Sequence, residues 1–268
     1  MAAKPRFQLL LVKPSHYDDD GYVIRWWRAM IPSNSLAAIY GIAADCAERR
    51  VLGPDVGIDI EAIDESNTRV DVPALIARLQ RNGNFGLLAL VGVQSNQYPR
   101  ALDIAREFRR AGVAVAIGGF HVSGCLSMLD GRAVELDACR DLGISIFAGE
   151  AEGRLEAVLQ DAAAGRLAPV YNFMNDLPGM EGTVVPFLPK RYVTRTLGLS
   201  PASTPAAAVP ISARSAPSST CRGASRATVP PMMSSIWFGA IGRRASTDSS
   251  SPTTTSPATR NGKRSSID

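Results

Sequence analysis

Leu87-Leu88-Ala89-Leu90-Val91-Gly92-Val93 is apolar along its whole length and runs directly into the polar triplet Gln94-Ser95-Asn96. A strand that is apolar on both faces belongs at the centre of a parallel sheet, where helices cover it from either side. The next stretch, residues 98–110, is helical in pattern, with Ala101, Leu102, Ala105 and Phe108 on one face. The same alternation extends outward in both directions. Further strands are expected at residues 7–13, 57–63, 113–117 and 144–148. Helices are expected from a cap near Ser33 to Arg50, over 72–80 with Pro73 in the first turn, and over 150–164. Five strands joined by crossover helices predict an α/β fold with a doubly wound (Rossmann or flavodoxin-like) five-stranded parallel sheet.

The chain of 268 residues is 46% apolar, which suffices for a buried core and excludes collagen, coiled coil and a wholly disordered chain. No apolar run approaches the roughly 20 residues that span a bilayer, so no membrane partner is expected. Residues 1–6 lack the apolar stretch of a signal peptide, and a cytoplasmic location is the expectation. Cys46, Cys125, Cys139 and Cys221 contain no C-x-x-C pair and read as reduced thiols. Composition changes sharply after Ser200. Residues 201–268 hold 23 Ser/Thr, eight Pro and eight Lys/Arg against two Asp/Glu, with no Leu. About six leucines belong in a stretch of that length at ordinary usage. Such a tail cannot build a core and is expected to be disordered. The expected organisation is a domain over 1–165, a linker over 166–200 and the tail over 201–268.

A doubly wound sheet binds ligands beyond the carboxyl ends of its strands, where strand order reverses. That rule groups residues 14–17, Gln94-Ser95-Asn96 and Gly118-Gly119-Phe120-His121 around one crevice. Each also has a plainer reading. The triplet can cap the following helix, the glycine pair can serve a tight turn, and His121 can be a hydrogen-bonded surface residue rather than a metal ligand. Several ligands are argued down. No G-x-G-x-x-G follows the first strand, no G-K-S/T closes a glycine-rich turn, and the two histidines give no support to a hydrolytic triad.

A first strand ending in Lys13-Pro14, then residues 91–96, Gly118-Gly119-Phe120-His121 and Phe147-Ala148-Gly149-Glu150-Ala151-Glu152, resembles the cobalamin-binding domain that precedes a radical SAM barrel. The resemblance covers residues 7–165 and continues through Asn175-Asp176-Leu177-Pro178 to about Ser200. It implies cobalamin as cofactor, with Gln94, Ser95, Asn96, Gly118, Gly119, His121, Gly149 and Glu150 as its binding residues. One departure bears on the cobalt. Mutase-type domains carry D-x-H-x-x-G after strand one, whose histidine becomes the lower ligand, whereas Ser15-His16-Tyr17-Asp18 stands here. No histidine ligation and no metal-ligating residue is therefore expected from this chain. The lower corrin face is expected to meet the triplet 94–96. The aromatic-rich loop through Trp26 and Trp27 reads as a core or dimer-contact element rather than a corrin platform. The oligomeric state is left open.

The resemblance also implies a C-x-x-x-C-x-x-C motif for a 4Fe-4S cluster that holds S-adenosylmethionine, due shortly after residues 192–200. No such spacing occurs in the sequence. Read with the frame displaced by one base, residues 208–216 permit C-P-Y-Q-C-S-F-C. In the same register, 202–208 permit S-F-D-A-G-R-G and 247–259 permit D-R-F-F-I-T-D-D-N-F-A-R-N. The tail thus reads as a barrel sequence in the wrong frame. Cluster, S-adenosylmethionine and catalytic residues are then expected only in an intact relative, and this chain without turnover. Two other readings stay open: a flavodoxin-like module for another small molecule, and nucleic-acid binding through the basic tail. The second is argued down because only Trp237 and Phe238 interleave its arginines. Resequencing the gene across the codon for Ser200 is expected to show a one-base displacement from the barrel frame. An open barrel-less frame in every independent clone counts against it.

Overall fold

The computed structural model describes residues 5–29, 31–128, 134–176, 178, 184–193 and 196. Its strands are β1 (Arg6–Lys13), β2 (Gly57–Asp64), β3 (Gly86–Leu90), β4 (Ala114–Gly118), β5 (Ser145–Ala148) and β6 (Val170–Asn172). All pair in parallel, in the order β2-β1-β3-β4-β5-β6. Order reverses between β1 and β3, as in a doubly wound sheet. Five strands are expected from sequence and six are present among the described residues. The extra one, β6, is only three residues long and comes from the stretch read as a linker.

The helices begin where side chains take up the orphan amides of a first turn. Ser33 Oγ accepts from Leu36 N at 3.3 Å at the start of α1 (Asn34–Glu48). Asp71 Oδ1 accepts from Ala74 N at 3.1 Å at the start of α2 (Val72–Arg81), with proline in its first turn. A single 3-10 turn, Ser95–Gln97, leads into α3 (Tyr98–Arg110). Then follow α4 (Phe120–Met128), α5 (Asp137–Asp141), α6 (Leu155–Ala163) and a short turn, α7 (Lys190–Val193).

Alternation along β1 divides the core in two. Leu10 and Val12 face the layer of α2, α3, α4 and α5, with Leu79, Ile104 and Phe108 buried there. Leu9 and Leu11 face α1 and α6, with Leu36, Tyr40 and Leu159. The chain after β6 returns to α1 and β2, where Phe187 N donates to Ala37 O of α1 at 3.0 Å and Tyr192 OH donates to Ile60 O of β2 at 3.2 Å. No helix among the described residues is long and apolar enough to cross a membrane. The expected disordered tail over 201–268, Cys221 included, lies outside the described residues.

One buried ion pair ties the carboxyl rim together. Glu65, 1% exposed, follows β2 and receives Arg100 of α3, whose Nη2 donates to Oε1 at 2.6 Å and whose Nε lies 3.1 Å from both carboxylate oxygens. Ser15 N donates to Glu65 Oε2 at 3.0 Å, and Tyr17 OH donates to Asp103 Oδ2 at 2.7 Å. Burial works against the charge on Arg100, but its bonds to Glu65 and Tyr17 outweigh that and raise its pKa. Removing one partner leaves the other charge buried and uncompensated. Glu65→Ala is expected to cost about 3–5 kcal/mol in urea unfolding, and Glu65→Met with Arg100→Met to recover most of that loss. Equal destabilisation by the single and double variants contradicts this account.

Candidate functional site

The loops that follow β3, β4 and β5 are stitched to one another. Val93 N donates to Gly118 O at 3.0 Å and His121 N donates to Val93 O at 3.0 Å. The turn from β4 into α4 therefore lies against the backbone of the β3 loop. Gly119 makes this approach possible. Its φ is +141°, and a Cβ there would stand 2.2 Å from Val93 N. Gly149 behaves similarly, with φ +106° and a Cβ position 2.7 Å from the carbonyl carbon of Phe173. These two glycines serve backbone packing inside the fold, the plainer of the readings open to them. Gly118 differs. It is half-buried at the end of β4, and the nearest atom to its Cβ position is Phe147 O at 3.4 Å, an ordinary contact.

Side chains complete the connection. His121 Nδ1 lies 3.2 Å from Ser95 Oγ, bridging the loops after β3 and β4. Gly149 N donates to Ser123 Oγ of α4 at 3.5 Å, which joins the β5 loop to the same group. Gln94, Ser95 and Asn96 are exposed, and Glu150 is half-buried after Gly149. The capping role open to the triplet is borne out for Gln94, the N-cap of the 3-10 turn, which forms a capping box with Gln97, whose Oε1 accepts from Gln94 N at 3.0 Å. The structure thus brings Ser95 and His121 into direct contact, sets Gly118 and Gly119 against Val93, and links Gly149 to α4 through Ser123. It places Gln94, Asn96 and Glu150 beside them in sequence.

Residues 14–17 do not leave an open wall on the far side. Pro14 and Ser15 are buried, and the polar groups of Ser15 and Tyr17 are committed to Glu65, Ile24 and Asp103. The exposed part of the rim is consequently that of β3, β4 and β5. The aromatic loop is not core either, since Trp26 is 66% and Trp27 82% exposed.

Both histidines have a serine as neighbour: His16 follows Ser15 along the chain, and His121 meets Ser95 in space. Ser95 and His121 are 26 positions apart and in contact. The other ring nitrogen, Nε2, is 3.8 Å from Cys125 Sγ, one helical turn along α4. Tyr98 packs against the imidazole at a centroid distance of 4.2 Å, and its hydroxyl donates to Glu135 O at 2.6 Å. Burial lowers the pKa of His121 and raises that of Cys125. Both shifts disfavour a thiolate–imidazolium pair, and among the described residues no carboxylate is hydrogen-bonded to the ring as in a hydrolytic triad. The arrangement acts as a clamp between two loops. Among the described residues, no three His, Cys, Asp or Glu side chains gather in a way that could hold a metal ion. Tyr98 and Cys125 escaped the sequence reading; the i, i+4 spacing of His121 and Cys125 was the available signal.

No family model matches the chain, and no curated protein matches it.

Gly119→Ala is expected to cost about 1–3 kcal/mol or more through strain and collision. Gly124→Ala, whose Cβ meets nothing within 4 Å on α4, is expected to gain about 0.5–1 kcal/mol; thermal unfolding of the two variants checks the contrast. His121 binds its proton more weakly folded than unfolded, so stability is full above the unfolded pKa of about 6.5 and falls as pH drops through it. Replacing His121 with Gln is expected to remove that slope below about pH 7.

Proposed function

We propose that this chain binds a corrinoid of the cobalamin type on the rim formed by the loops after β3, β4 and β5. The observation that carries the reading is Gly118. It ends a central strand half-exposed, with only ordinary contacts around its Cβ position, on the rim that also presents Gln94, Ser95 and Asn96. That donor set consists of neutral amides and a hydroxyl, and it suits a macrocycle whose own periphery is amide-rich. In this assignment the triplet, steadied by the Ser95–His121 contact, meets the corrin. Gly118, Gly119, Gly149 and Glu150 border its nucleotide tail. His121 holds Ser95 and does not ligate cobalt.

When bound, a corrinoid supplies a cobalt centre that carries and transfers an alkyl group. The residues of this chain bind and orient it. The sequence contains no C-x-x-x-C-x-x-C spacing, so the assignment is binding without turnover. The 4Fe-4S cluster, S-adenosylmethionine and substrate pocket belong, in this reading, to a radical SAM half encoded in the displaced frame after Ser200.

Apoprotein incubated with hydroxocobalamin and passed over a sizing column is expected to carry the corrin's visible absorption in its peak. Gly118→Leu is expected to reduce the bound fraction about tenfold or more, which corresponds to a loss of about 1.4 kcal/mol or more, while leaving the circular dichroism unchanged. Failure of the corrin to co-elute at any stoichiometry ends the proposal. Retention of a flavin under the same conditions instead establishes the flavodoxin-like alternative.

A further inference from the structure

Helix α4 carries three soft donors along one stripe of its surface. His121, Cys125 and Met128 stand at i, i+4 and i+7, the spacing that puts helical residues on one face. Val122, one position along from His121, is fully buried and anchors the helix to the core. His121 and Cys125 are half-buried and Met128 is 76% exposed, so solvent reaches the stripe. The imidazole is already aimed along it. Its Nδ1 lies 3.2 Å from Ser95 Oγ and Tyr98 packs against the ring, which leaves Nε2 at 3.8 Å from Cys125 Sγ. A histidine that ligates a metal through one nitrogen almost always gives the N–H of the other to an oxygen or water. Ser95 Oγ stands where that acceptor belongs.

The separation of nitrogen and sulfur sets the geometry. An ion about 2.3 Å from a thiolate and about 2.0–2.1 Å from an imidazole nitrogen, the bond lengths of zinc, bridges such a gap with an angle of about 120° at the metal. A trigonal angle asks for one further donor. Among the described residues no third His, Cys, Asp or Glu side chain joins the pair. The next donor on the stripe, three residues beyond Cys125, is the Met128 thioether. Zinc sites are built from thiolate, imidazole and carboxylate. A set of thiolate, thioether and imidazole suits copper(I) instead. We propose that His121 Nε2, Cys125 Sγ and Met128 Sδ form a copper(I) site on α4. On binding, the S–H bond of Cys125 breaks, its sulfur bonds to copper and the proton passes to solvent; copper remains copper(I), so no oxidant or reductant takes part. The inference does not rest on corrinoid binding, which uses neither Cys125 nor Met128.

Copper(I), supplied without oxygen as its bicinchoninate complex, tests the proposal on the full-length Cys221→Ser variant, which removes the thiol outside the described residues. Transfer of copper from the chelator to the protein at one per chain is expected, with an X-ray absorption spectrum of three-coordinate copper bound by one nitrogen and two sulfurs. Ser95→Ala is expected to weaken binding about 10–100-fold, as loss of an outer-shell acceptor does, and Cys125→Ser by more than about 100-fold. Met128→Leu changes an exposed side chain and is expected to keep the circular dichroism, to weaken binding about tenfold or more, and to leave a single sulfur on copper. Failure to take copper from the chelator overturns the proposal. So does uptake that Cys125→Ser leaves unchanged, as binding through Cys46, Cys139 or residues 201–268 would, or a Met128→Leu variant that keeps both sulfurs. Tighter retention of zinc(II) than of copper(I) by the parent protein overturns it as well.

Discussion

The rim of this protein depends on one close approach of backbone to backbone. Two hydrogen bonds, Val93 N to Gly118 O and His121 N to Val93 O, carry the β3–β4 pairing past the end of β3 and into the loops. They form only because Gly119 has no Cβ to collide with Val93. The contact sets where α4 begins, and α4 in turn carries His121 to Ser95 and Ser123 to Gly149. Three loops become one surface through a single missing methyl group. The two glycines of the pair therefore differ. Gly119 permits the fold to close, and Gly118 would carry a Cβ at ordinary contact distance from Phe147.

The opposite side of the switch point is organised by charge. Glu65, Arg100, Tyr17 and Asp103 occupy the space between the β1 loop and α3, each with a partner. A buried pair of this kind is weak evidence for stability but strong for geometry, because each member is costly to leave alone. It fixes the base of the β1 loop and so fixes where Tyr22, Trp26 and Trp27 are displayed. The rim is accordingly asymmetric, with neutral polar groups over β3 to β5 and a rigid aromatic loop beside β1.

The sheet was largely legible because β-branched and apolar runs bounded by glycine or proline leave little choice of period. The β1, β2 and β3 runs and α1, α2 and α3 lie within a few residues of where pattern and capping residues put them. The misses have physical causes. Residues 120–128, Phe-His-Val-Ser-Gly-Cys-Leu-Ser-Met, are mostly small or apolar with a central glycine, and they have no polar face to reveal α4. β6 is too short for alternation to register. Contacts between distant positions, such as Glu65 with Arg100 and Ser95 with His121, have no local signature at all. The rule that ligands sit beyond the strand ends located the site residues as a group. It did not distinguish glycines that pack inward from the one with ordinary contacts, because that depends on φ and on what lies opposite.

Electrostatics around the sheet narrows the kind of ligand the rim suits. Along its β2 edge, charges are neutralised in pairs: Arg6 with Asp59, Arg78 with Glu61, and Lys13 with Asp64. Over β3 to β5 the exposed groups are the amides and hydroxyl of residues 94–96 and the Phe120 ring, with Glu150 half-buried beside them, and burial lowers the pKa of the imidazole behind them. A phosphate-led ligand such as a dinucleotide gains most from a glycine-rich turn opening a helix amino terminus or from a fixed cation. Here the amino terminus of α4 is partly spent, since His121 N is already bonded to Val93 O. A large ligand held by many neutral contacts loses nothing by that arrangement. This is why the corrinoid assignment rests on the chemistry of the donor set and the half-buried end of β4 at Gly118, and not on any single strong interaction.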